Sequence, residues 1–256
     1  MEPMELLELI RETIFHEVKD NDFVTLYRDP LLGFVAASDP GFAELSKWTE
    51  TRHLMPEDLL PGARSVVCFF LPFAPEIAYA NQVEKEQVAR QWAVAYSDTN
   101  TLIGQINARL IELLSQNGIQ AVAEPATGNF GEDTLRSHWS HKSIAVMAGI
   151  GSFGLHQLVI TDAGCAGRLG SIVIDADLPA SKPEQKERCE YFVSETCLDC
   201  LLACPVNAID EESPFDRWAC WQQCLNNAED ILDLGDEVKV CGKCAVVGPC
   251  ALESAV

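Results

Sequence analysis

The sequence predicts an α+β protein built from two parts. Helical and strand-like hydrophobic patterns alternate through the first 180 residues, whereas nine of the eleven cysteines fall within positions 189–256. A polar, proline-containing stretch at 179–188 lies between the two regions and is typical of a linker. We therefore divide the chain into a mixed helix and strand domain at 1–180 and a cysteine-rich domain at 181–256.

Two amphipathic helices are predicted in the N-terminal domain, at 4–19 and 99–117. Both carry apolar residues every three or four positions, a spacing that places them on one helix face. These apolar residues are Leu7, Ile10, Ile14 and Val18 in the first helix, and Leu102, Ile106, Leu110 and Leu113 in the second. The second helix should end at Gly118, because glycine readily adopts the left-handed conformation that follows many helices.

Four runs predict strands. The β-branched and aromatic run at 65–71 follows Pro61-Gly62 and should form a buried central strand, and a further strand follows at 119–123. The runs 155–161 and 168–174 are separated by six residues, which predicts a hairpin.

Composition excludes several classes of function. The chain has 18 Lys and Arg against 39 Asp and Glu, a net charge of −21, so long-range attraction to nucleic acid or to an anionic membrane is not expected. The apolar stretch at 66–73 is far shorter than the roughly 18 residues that a membrane-spanning helix needs. The acidic N-terminus also lacks the basic region of a signal peptide. We expect a soluble, cytoplasmic protein with neither nucleic-acid nor membrane partners.

The C-terminal cysteines carry the strongest chemical signal. Clustered cysteines in a reducing compartment indicate metal or redox chemistry rather than disulfides. Cys197, Cys200 and Cys204-Pro205 form a C-x2-C-x3-C-P run, the second half of the bacterial ferredoxin motif for 4Fe-4S clusters. In two-cluster ferredoxins the cysteine before the proline binds the other cluster, so a second ligand set is required. We assign one cluster to Cys189, Cys197, Cys200 and Cys250, and the other to Cys204, Cys220, Cys241 and Cys244.

Alternatives exist for several cysteines. Cys224 could replace Cys220 as the eighth ligand, and C-x2-C pairs also occur in zinc ribbons, although the x3-C-P continuation favours ferredoxin-like clusters. Cys68, inside an apolar strand, is interpreted as a core residue. Cys165 lies between glycines in the expected hairpin loop, where it could be exposed and functional. Two clusters with crossed ligands would lie close enough to exchange an electron, which predicts an electron relay.

A glycine-rich segment at 149–154 has the spacing G-x-G-x-x-G. A dinucleotide-binding fingerprint follows a strand and opens a helix, whereas here a helical segment at 141–148 comes first and a strand follows. The glycines could let the backbone approach a large flat cofactor, or could simply turn a helix into a strand. We predict a cofactor-binding set consisting of Gly149, Gly151, Gly154, Arg168 and Ser171.

Taken together, these segments resemble the epoxyqueuosine reductase family, and in particular its shorter relatives in anaerobes. The resemblance covers about residues 58–250 and is carried by RSVV (64–67), SHK (140–142), AVMAGIGSFG (145–154), LVIT (158–161), GRLGS (167–171) and the cysteine-rich ending VCGKC to PC (240–250). It implies a nitroreductase-like α/β domain that holds cobalamin face-on, followed by a ferredoxin-like domain whose two 4Fe-4S clusters pass electrons to the cobalt. It also favours Cys220 over Cys224.

The resemblance places Asp98 near the family's catalytic aspartate, which donates a proton. Asp98 could instead be the N-cap of the helix that begins near Thr99. The net charge of −21 is poorly suited to a tRNA substrate, so a small molecule is the expected substrate.

Two hypotheses of different classes follow. In the first, the protein is an oxidoreductase in which two 4Fe-4S clusters, reduced by a donor such as a ferredoxin or flavodoxin, deliver electrons to a second cofactor. That cofactor is a corrinoid, with flavin as second choice. In the second, the protein is a ferredoxin-like electron carrier or reductive activator of a partner redox protein, and the N-terminal domain is a docking module.

Overall fold

The computed structural model describes residues 1–48, 53–181 and 186–256, apart from the side chain of Trp48. It shows a mixed helix and strand protein. The strands are β1 (Leu31–Ala36), β2 (Ser65–Pro72), β3 (Ala121–Val122), β4 (Phe130–Gly131), β5 (Arg136–Ser137), β6 (Gly151–Phe153), β7 (Val159–Thr161) and β8 (Gly167–Ile174). The α-helices are α1 (Pro3–Lys19), α2 (Pro40–Trp48), α3 (Pro56–Leu59), α4 (Pro75–Val83), α5 (Arg90–Gln116), α6 (His141–Met147), α7 (Glu190–Ser194), α8 (Asp199–Leu202) and α9 (Arg217–Glu229).

A four-stranded antiparallel sheet in the order β1-β2-β8-β3 forms the centre of the N-terminal part. Every residue of β2 is buried, which confirms the predicted central strand. The burial has a simple cause, because successive side chains of a strand point to opposite faces and helices cover both faces of this sheet. Val67, Phe69 and Leu71 pack with residues of α1 and α5, whereas Val66, Cys68 and Phe70 pack with residues of α2 and α6.

Both predicted helices are present, and the second is longer than expected. α1 buries Ile10, Ile14 and Val18, as its spacing predicted. α5 begins nine residues before Thr99, because residues such as Trp92 and Ala93 continue its apolar face against the C-terminal part. Along α5 the buried position after Leu110 is Leu114 rather than Leu113, since the spacing of four continues. Gly118 follows the helix with φ +73°, as predicted.

The predicted hairpin of 155–161 with 168–174 is wrong. β7 pairs with β6, whereas β8 pairs with β2 and β3. The intervening loop closes on itself, with the Thr161 hydroxyl donating to the Gly164 carbonyl at 2.8 Å. It then pairs with the chain end, where the Cys165 amide donates to the Cys250 carbonyl at 3.0 Å. These bonds separate the two strands. The predicted strand at 119–123 is reduced to the two residues of β3.

The C-terminal part consists of α7, α8, α9 and 3₁₀ turns at Leu232–Leu234, Lys243–Ala245 and Pro249–Ala251. Its buried residues share one hydrophobic core with α4, α5 and the loop at 165–166. Arg28 ties the two parts together through its guanidinium, which donates to the carbonyl oxygens of Phe73, Ala163 and Leu252 at 2.7–2.9 Å. The predicted linker at 179–188 includes residues 182–185, which lie outside the described residues, and the boundary at 180 stays a prediction.

The long helices of this structure are amphipathic. In the described part of the chain, no helix combines the length and hydropathy needed to span a bilayer.

Candidate metal centres and adjoining cleft

Nine cysteines of the C-terminal part are gathered at two places. The first cysteine group lines a small cavity together with Leu155 and His156, and consists of Cys189, Cys197, Cys200 and Cys250. The second cysteine group lines a cavity of about 340 Å³ and consists of Cys204, Cys220, Cys224, Cys241 and Cys244. The structure therefore brings together the residues of each predicted ligand set. That each set binds a cluster stays a prediction.

Local backbone geometry explains how short spacings bring these sulfurs together. α8 begins after Cys197 and carries Cys200, and it ends before Cys204, so the last thiol leaves toward the other cavity. Between Cys241 and Cys244, Gly242 adopts φ +72°. A side chain at Gly242 would also meet the Trp92 indole, since a Cβ there would lie 2.2 Å from Nε1. Glycine is therefore required for this turn.

Two thiols of the first group, Cys200 and Cys250, have pKa values shifted in opposite directions. Burial, followed by the charges of the other three cysteines of the group, raises the pKa of Cys200 to about 12. Cys250 behaves in the opposite way: hydrogen bonds, from Cys165 first and also from His156, lower its pKa to about 5 although burial opposes the shift. A bound cation removes such repulsion, because metal coordination deprotonates thiols outright. The group is therefore chemically suited to a metal centre.

Cys220 and Cys224 both line the second cavity, because they lie four residues apart on α9. A hydrogen bond from Cys224, together with the charge of Lys142, lowers the pKa of Cys220 to about 7. The same hydrogen bond and burial raise the pKa of Cys224. Cys220 is thus the better thiolate of the pair, and both residues stay candidates for the eighth ligand.

A cleft of about 320 Å³ adjoins the second cavity. The two share Leu158, Cys165, Gly167 and Arg168 in their walls. The Arg168 guanidinium stacks on the Tyr96 ring, with Cζ 4.1 Å from the ring centroid, and its Nη2 donates to Asn100 Oδ1 at 2.7 Å. Its buried Nε has no hydrogen-bond partner among the described residues. Of the five predicted cofactor-binding residues, Arg168 is the one placed in the cleft wall.

Ser171 lies behind the cleft and has its hydrogen bonds satisfied by protein. His141 Nε2 lies 2.9 Å from the Pro125 carbonyl, an obligate acceptor, so the ring proton is on Nε2 and Nδ1 accepts. Ser171 Oγ then donates to His141 Nδ1 and accepts from Trp139 Nε1, each at 2.9 Å. Burial lowers the pKa of His141, which agrees with this neutral form. Ser171 therefore orients Trp139 and His141, two residues that line the cleft.

Two of the three predicted glycines, Gly151 and Gly154, lie close against protein atoms, and Gly149 has a left-handed backbone. Gly149 has φ +75° directly after α6. A Cβ at Gly151 would lie 2.2 Å from the Ile160 carbonyl oxygen, and one at Gly154 would lie 2.7 Å from His156 Cε1. The walls of the cleft and of the two cysteine cavities consist of other residues. The left-handed turn after α6 accounts for Gly149, and close protein neighbours account for Gly151 and Gly154. Contact of these glycines with a cofactor stays a prediction.

Asp98 occupies the middle of α5, and Ala89 is the N-cap of that helix, so the alternative interpretation of Asp98 as an N-cap is wrong. Its carboxylate accepts a hydrogen bond from the Thr25 hydroxyl at 2.6 Å. The walls of the cleft and the cysteine cavities do not include Asp98. A catalytic role for this residue stays a prediction.

Three residues at this site went unnoticed or were misjudged in the sequence. Lys142 lines the cleft, and its charge acts on Cys220 and Cys244. Cys165 is buried rather than exposed, and with His156 and Cys250 it forms a cluster whose ligand atoms lie within 4.8 Å of one another. The sequence around His156, Gly154-Leu155-His156, does not match the spacing of a metal-binding motif. Only the fold could therefore show that His156 lies near Cys165 and Cys250. Cys68 is fully buried, as predicted.

No protein-family model matches the chain. The chain is similar to epoxyqueuosine reductases of Gloeobacter violaceus (30% identity over 73% of this chain and 54% of the relative) and Escherichia coli (24% identity over 76% and 50%). It also resembles the solved epoxyqueuosine reductases of Bacillus subtilis (TM-score 0.60, 18% identity, covering 96% of this chain and 66% of that one) and Streptococcus thermophilus (TM-score 0.58, 15% identity, covering 99% and 67%).

Over the part of the solved epoxyqueuosine reductases that this chain covers, the two folds are the same. The curated relatives that the chain matches in sequence are epoxyqueuosine reductases as well, so the chain is similar to this family in both sequence and fold. The chain spans about half the length of the curated relatives it matches.

Proposed function

We propose that the protein is an iron–sulfur oxidoreductase that passes electrons through two 4Fe-4S clusters to a second cofactor in the cleft, for reduction of a small molecule. The observation that carries this proposal is the arrangement of the cavities. Two sets of thiols line separate cavities, and the second cavity adjoins a cleft through the shared residues Cys165 and Arg168. Electrons leaving the second cysteine group would thus enter the cleft directly.

The donor sets fit iron–sulfur clusters. Each cavity offers at least four thiols, the soft anionic ligands that such clusters require. The cysteine before Pro205 lines the second cavity while its neighbours Cys197 and Cys200 line the first, as the crossed ligation of two-cluster ferredoxins requires. This crossing favours ferredoxin-like clusters over a zinc ribbon. We further propose that residues 181–256 form a ferredoxin-like domain and residues 1–180 a nitroreductase-like one.

A corrinoid is the proposed second cofactor, with flavin as second choice. The family resemblance supports it, and the cleft offers Arg168 Nε as an unpaired buried donor and Lys142 as a cation toward the amide or anionic edges of such a ligand. A bound corrinoid supplies a cobalt centre that accepts and transfers low-potential electrons. The protein's own contribution is to hold the edge of the ligand at Arg168, with Trp139 and His141 kept rigid by Ser171.

The substrate is proposed to be a small molecule. One neighbouring structure, an epoxyqueuosine reductase with TM-score 0.60 and 18% identity, contains a modified tRNA stem loop. The present chain carries a net charge of −21, which repels a polyanion at long range. A ferredoxin or flavodoxin is the proposed electron donor, in the cytoplasm.

The test is anaerobic purification and reconstitution, with iron, sulfide and cobalt quantified. We expect about eight iron and eight sulfide per chain, together with binding of added cobalamin. Arg168→Met should weaken cobalamin binding while the iron content stays unchanged, and Arg90→Met, which removes an exposed ion pair with Asp233, is the matched control. Gly151→Val is a poor test, because its side chain would collide with the Ile160 carbonyl.

Two results would count against the proposal. About four iron per chain, or zinc in place of iron, would contradict the two-cluster assignment. Full iron without cobalamin or flavin binding would favour the alternative function, a ferredoxin-like carrier or reductive activator that docks on a partner redox protein.

A further inference from the structure

His156 is a buried histidine beside the first cysteine group. Its side chain is 3% exposed, and its Nε2 lies 3.6 Å from Cys250 Sγ. That distance is suited to a hydrogen bond that involves sulfur. Residues of the N-terminal part thus reach the sulfur of a predicted cluster ligand about ninety positions further along the chain.

The direction of this hydrogen bond follows from the other ring nitrogen. The backbone N–H of Leu158 points at His156 Nδ1 at 3.1 Å, and because an amide N–H can only donate, Nδ1 must accept. A neutral imidazole whose Nδ1 accepts carries its proton on Nε2. Nε2 is therefore the donor, and the Cys250 sulfur is the acceptor.

The turn around His156 is built to hold the ring in this place. Gly154 and Leu158 are joined by a backbone hydrogen bond of 2.9 Å, and Gln157 between them adopts φ +61°. Gly154 leaves room for the imidazole, because a Cβ there would lie 2.7 Å from His156 Cε1. The third glycine of the G-x-G-x-x-G segment thus has a specific task, which is to make space for this ring.

The acceptor is also held in place by the same part of the chain. The backbone amide of Cys165 donates to the Cys250 carbonyl at 3.0 Å, and that of Ala166 donates to the Ala251 carbonyl at 3.0 Å. Donor and acceptor are therefore fixed relative to each other by one segment, 154–166, which includes β7. The described residues that line the second cysteine cavity include no histidine.

We propose that His156 is a positioning residue that donates an N–H···S hydrogen bond to Cys250 and thereby raises the reduction potential of the cluster bound by the first cysteine group. The inference rests on the proposed function, because it requires Cys250 to be a cluster ligand. Reduction adds negative charge that spreads onto the ligand sulfurs, so a donor at one sulfur stabilises the reduced state more than the oxidised state. Among the described residues, the second group has no histidine donor in its cavity wall, and its Cys204 sulfur accepts instead from the backbone amide of Ala208 at 3.2 Å.

The experiment is an anaerobic redox titration of the reconstituted full chain, monitored by electron paramagnetic resonance. Signals of the first cluster are identified in Cys244→Ser, which retains only that cluster under the proposed assignment. His156→Phe should make reduction of the first cluster about tenfold less favourable, a shift of about 59 mV for a one-electron couple, with no change at the second. His156→Gln, which keeps an N–H donor, should restore most of the difference.

Iron analysis separates this inference from the proposed function. If the wild-type chain does not hold two clusters, the proposed function fails. If His156→Phe holds both clusters and the first potential does not move, the inference alone is wrong. If His156→Phe cannot load the first cluster, the potential of that cluster is measured in Gly154→Ala, which displaces the imidazole ring without removing it. A lowered potential of the first cluster in this variant supports the inference. An unchanged potential overturns it.

Cys165 provides a comparison at the same acceptor. Its sulfur also lies within 4.8 Å of the Cys250 sulfur, but its single proton is placed to be donated to the Ala245 carbonyl at 3.5 Å, and a thiol is a weaker donor than an imidazole N–H. Cys165→Ala should therefore lower the first potential by less than His156→Phe does. An equal or larger shift in Cys165→Ala would overturn the assignment of the main effect to His156.

Discussion

The two cysteine groups differ in how the protein surrounds them. The cavity of the first group has a volume of about 10 Å³ and is closed around its sulfurs by Leu155, His156 and the segment 247–250. The second group lines about 340 Å³ of largely apolar space that adjoins the cleft at Arg168. The first site is a closed pocket whose Cys250 sulfur accepts a hydrogen bond from His156 of the N-terminal part, whereas the second is an open one facing the cleft.

This difference suggests an order for the electron relay. The second group shares its wall with the cleft, so its cluster should reduce the cofactor there. The first group does not line the cleft, and exposed apolar side chains such as Phe192, on which a protein donor could dock, lie close to it in sequence. We therefore expect electrons from the donor to enter at the first group and leave from the second.

The largest expected effect comes from removing one ligand of either group. Cys200→Ser should lose the first cluster and Cys244→Ser the second, so each variant should contain about half of the wild-type iron. Cys200→Ser should retain cobalamin reduction by a small chemical reductant but lose it with a protein donor. Iron analysis and stopped-flow absorbance measure these outcomes, and Cys68→Ala, at a buried position in β2, is the control.

The same series separates the two candidates for the eighth ligand. Cys220→Ser should lose the second cluster and Cys224→Ser should retain it, because the pKa of Cys220 is the lowered one of the pair. The opposite pattern would make Cys224 the ligand. Loss of iron from the first group in Cys220→Ser, Cys224→Ser or Cys244→Ser would contradict the division into two groups.

The cysteine spacing predicted which thiols the fold brings together, because cysteines that bind one metal cluster must lie at short gaps in sequence that let neighbouring thiols reach it. The surrounding chain is less constrained. The positions of β2, α1 and the end of α5 followed from hydrophobic period, but the supposed hairpin failed because backbone hydrogen bonds from Cys165 and Ala166 to the chain end compete with strand pairing. Contacts between residues so far apart in the sequence leave no pattern in the residues around either partner.

The predicted cofactor residues illustrate the same limit. Arg168 lies in the cleft wall, while Ser171, three residues later on the same strand, lies behind it. The two differ because alternate strand residues face opposite sides, and because Ser171 is held by Trp139 and His141 from a distant segment. A glycine pattern likewise cannot reveal whether the space it leaves is filled by a ligand or by a side chain such as His156.

A smaller effect is expected from the clamp between the two parts of the chain. Arg28→Met removes three hydrogen bonds to backbone carbonyls, including that of Leu252 two residues after Cys250. We expect a loss of about 2–3 kcal/mol in the free energy of unfolding, because removing the charged donor leaves three partly buried carbonyl acceptors unpaired. The first cluster should then lose its iron to a chelator faster than the second does. Equal rates for the two clusters would show that the clamp does not distinguish the groups.

The smallest expected effect concerns the charge beside the second group. Lys142 donates to the Gln157 carbonyl at 3.0 Å, and its charge acts on Cys220 and Cys244. Lys142→Met should lower the reduction potential of the second cluster. The equilibrium constant for its reduction should fall about fivefold, since a unit charge near a water-accessible site contributes on the order of 1 kcal/mol. Lys142→Arg, which keeps the charge, should leave the potential near the wild-type value. Redox titration at two pH values measures the difference.

The reduction potential of the second cluster should fall as the pH rises. Desolvation lowers the pKa of Lys142 below its ordinary value of 10.5, so the wild-type chain loses this charge as the pH rises through that lowered pKa. The potential of the second cluster in the wild-type chain should therefore fall toward that of Lys142→Met at alkaline pH. Because His156→Phe acts on the first cluster and Lys142→Met on the second, the two substitutions should change the gap between the potentials in opposite directions. A single substitution that moved both potentials equally would mean that the two groups share one electrostatic environment. The contrast between a closed site and an open one would then have no effect on the reduction potentials.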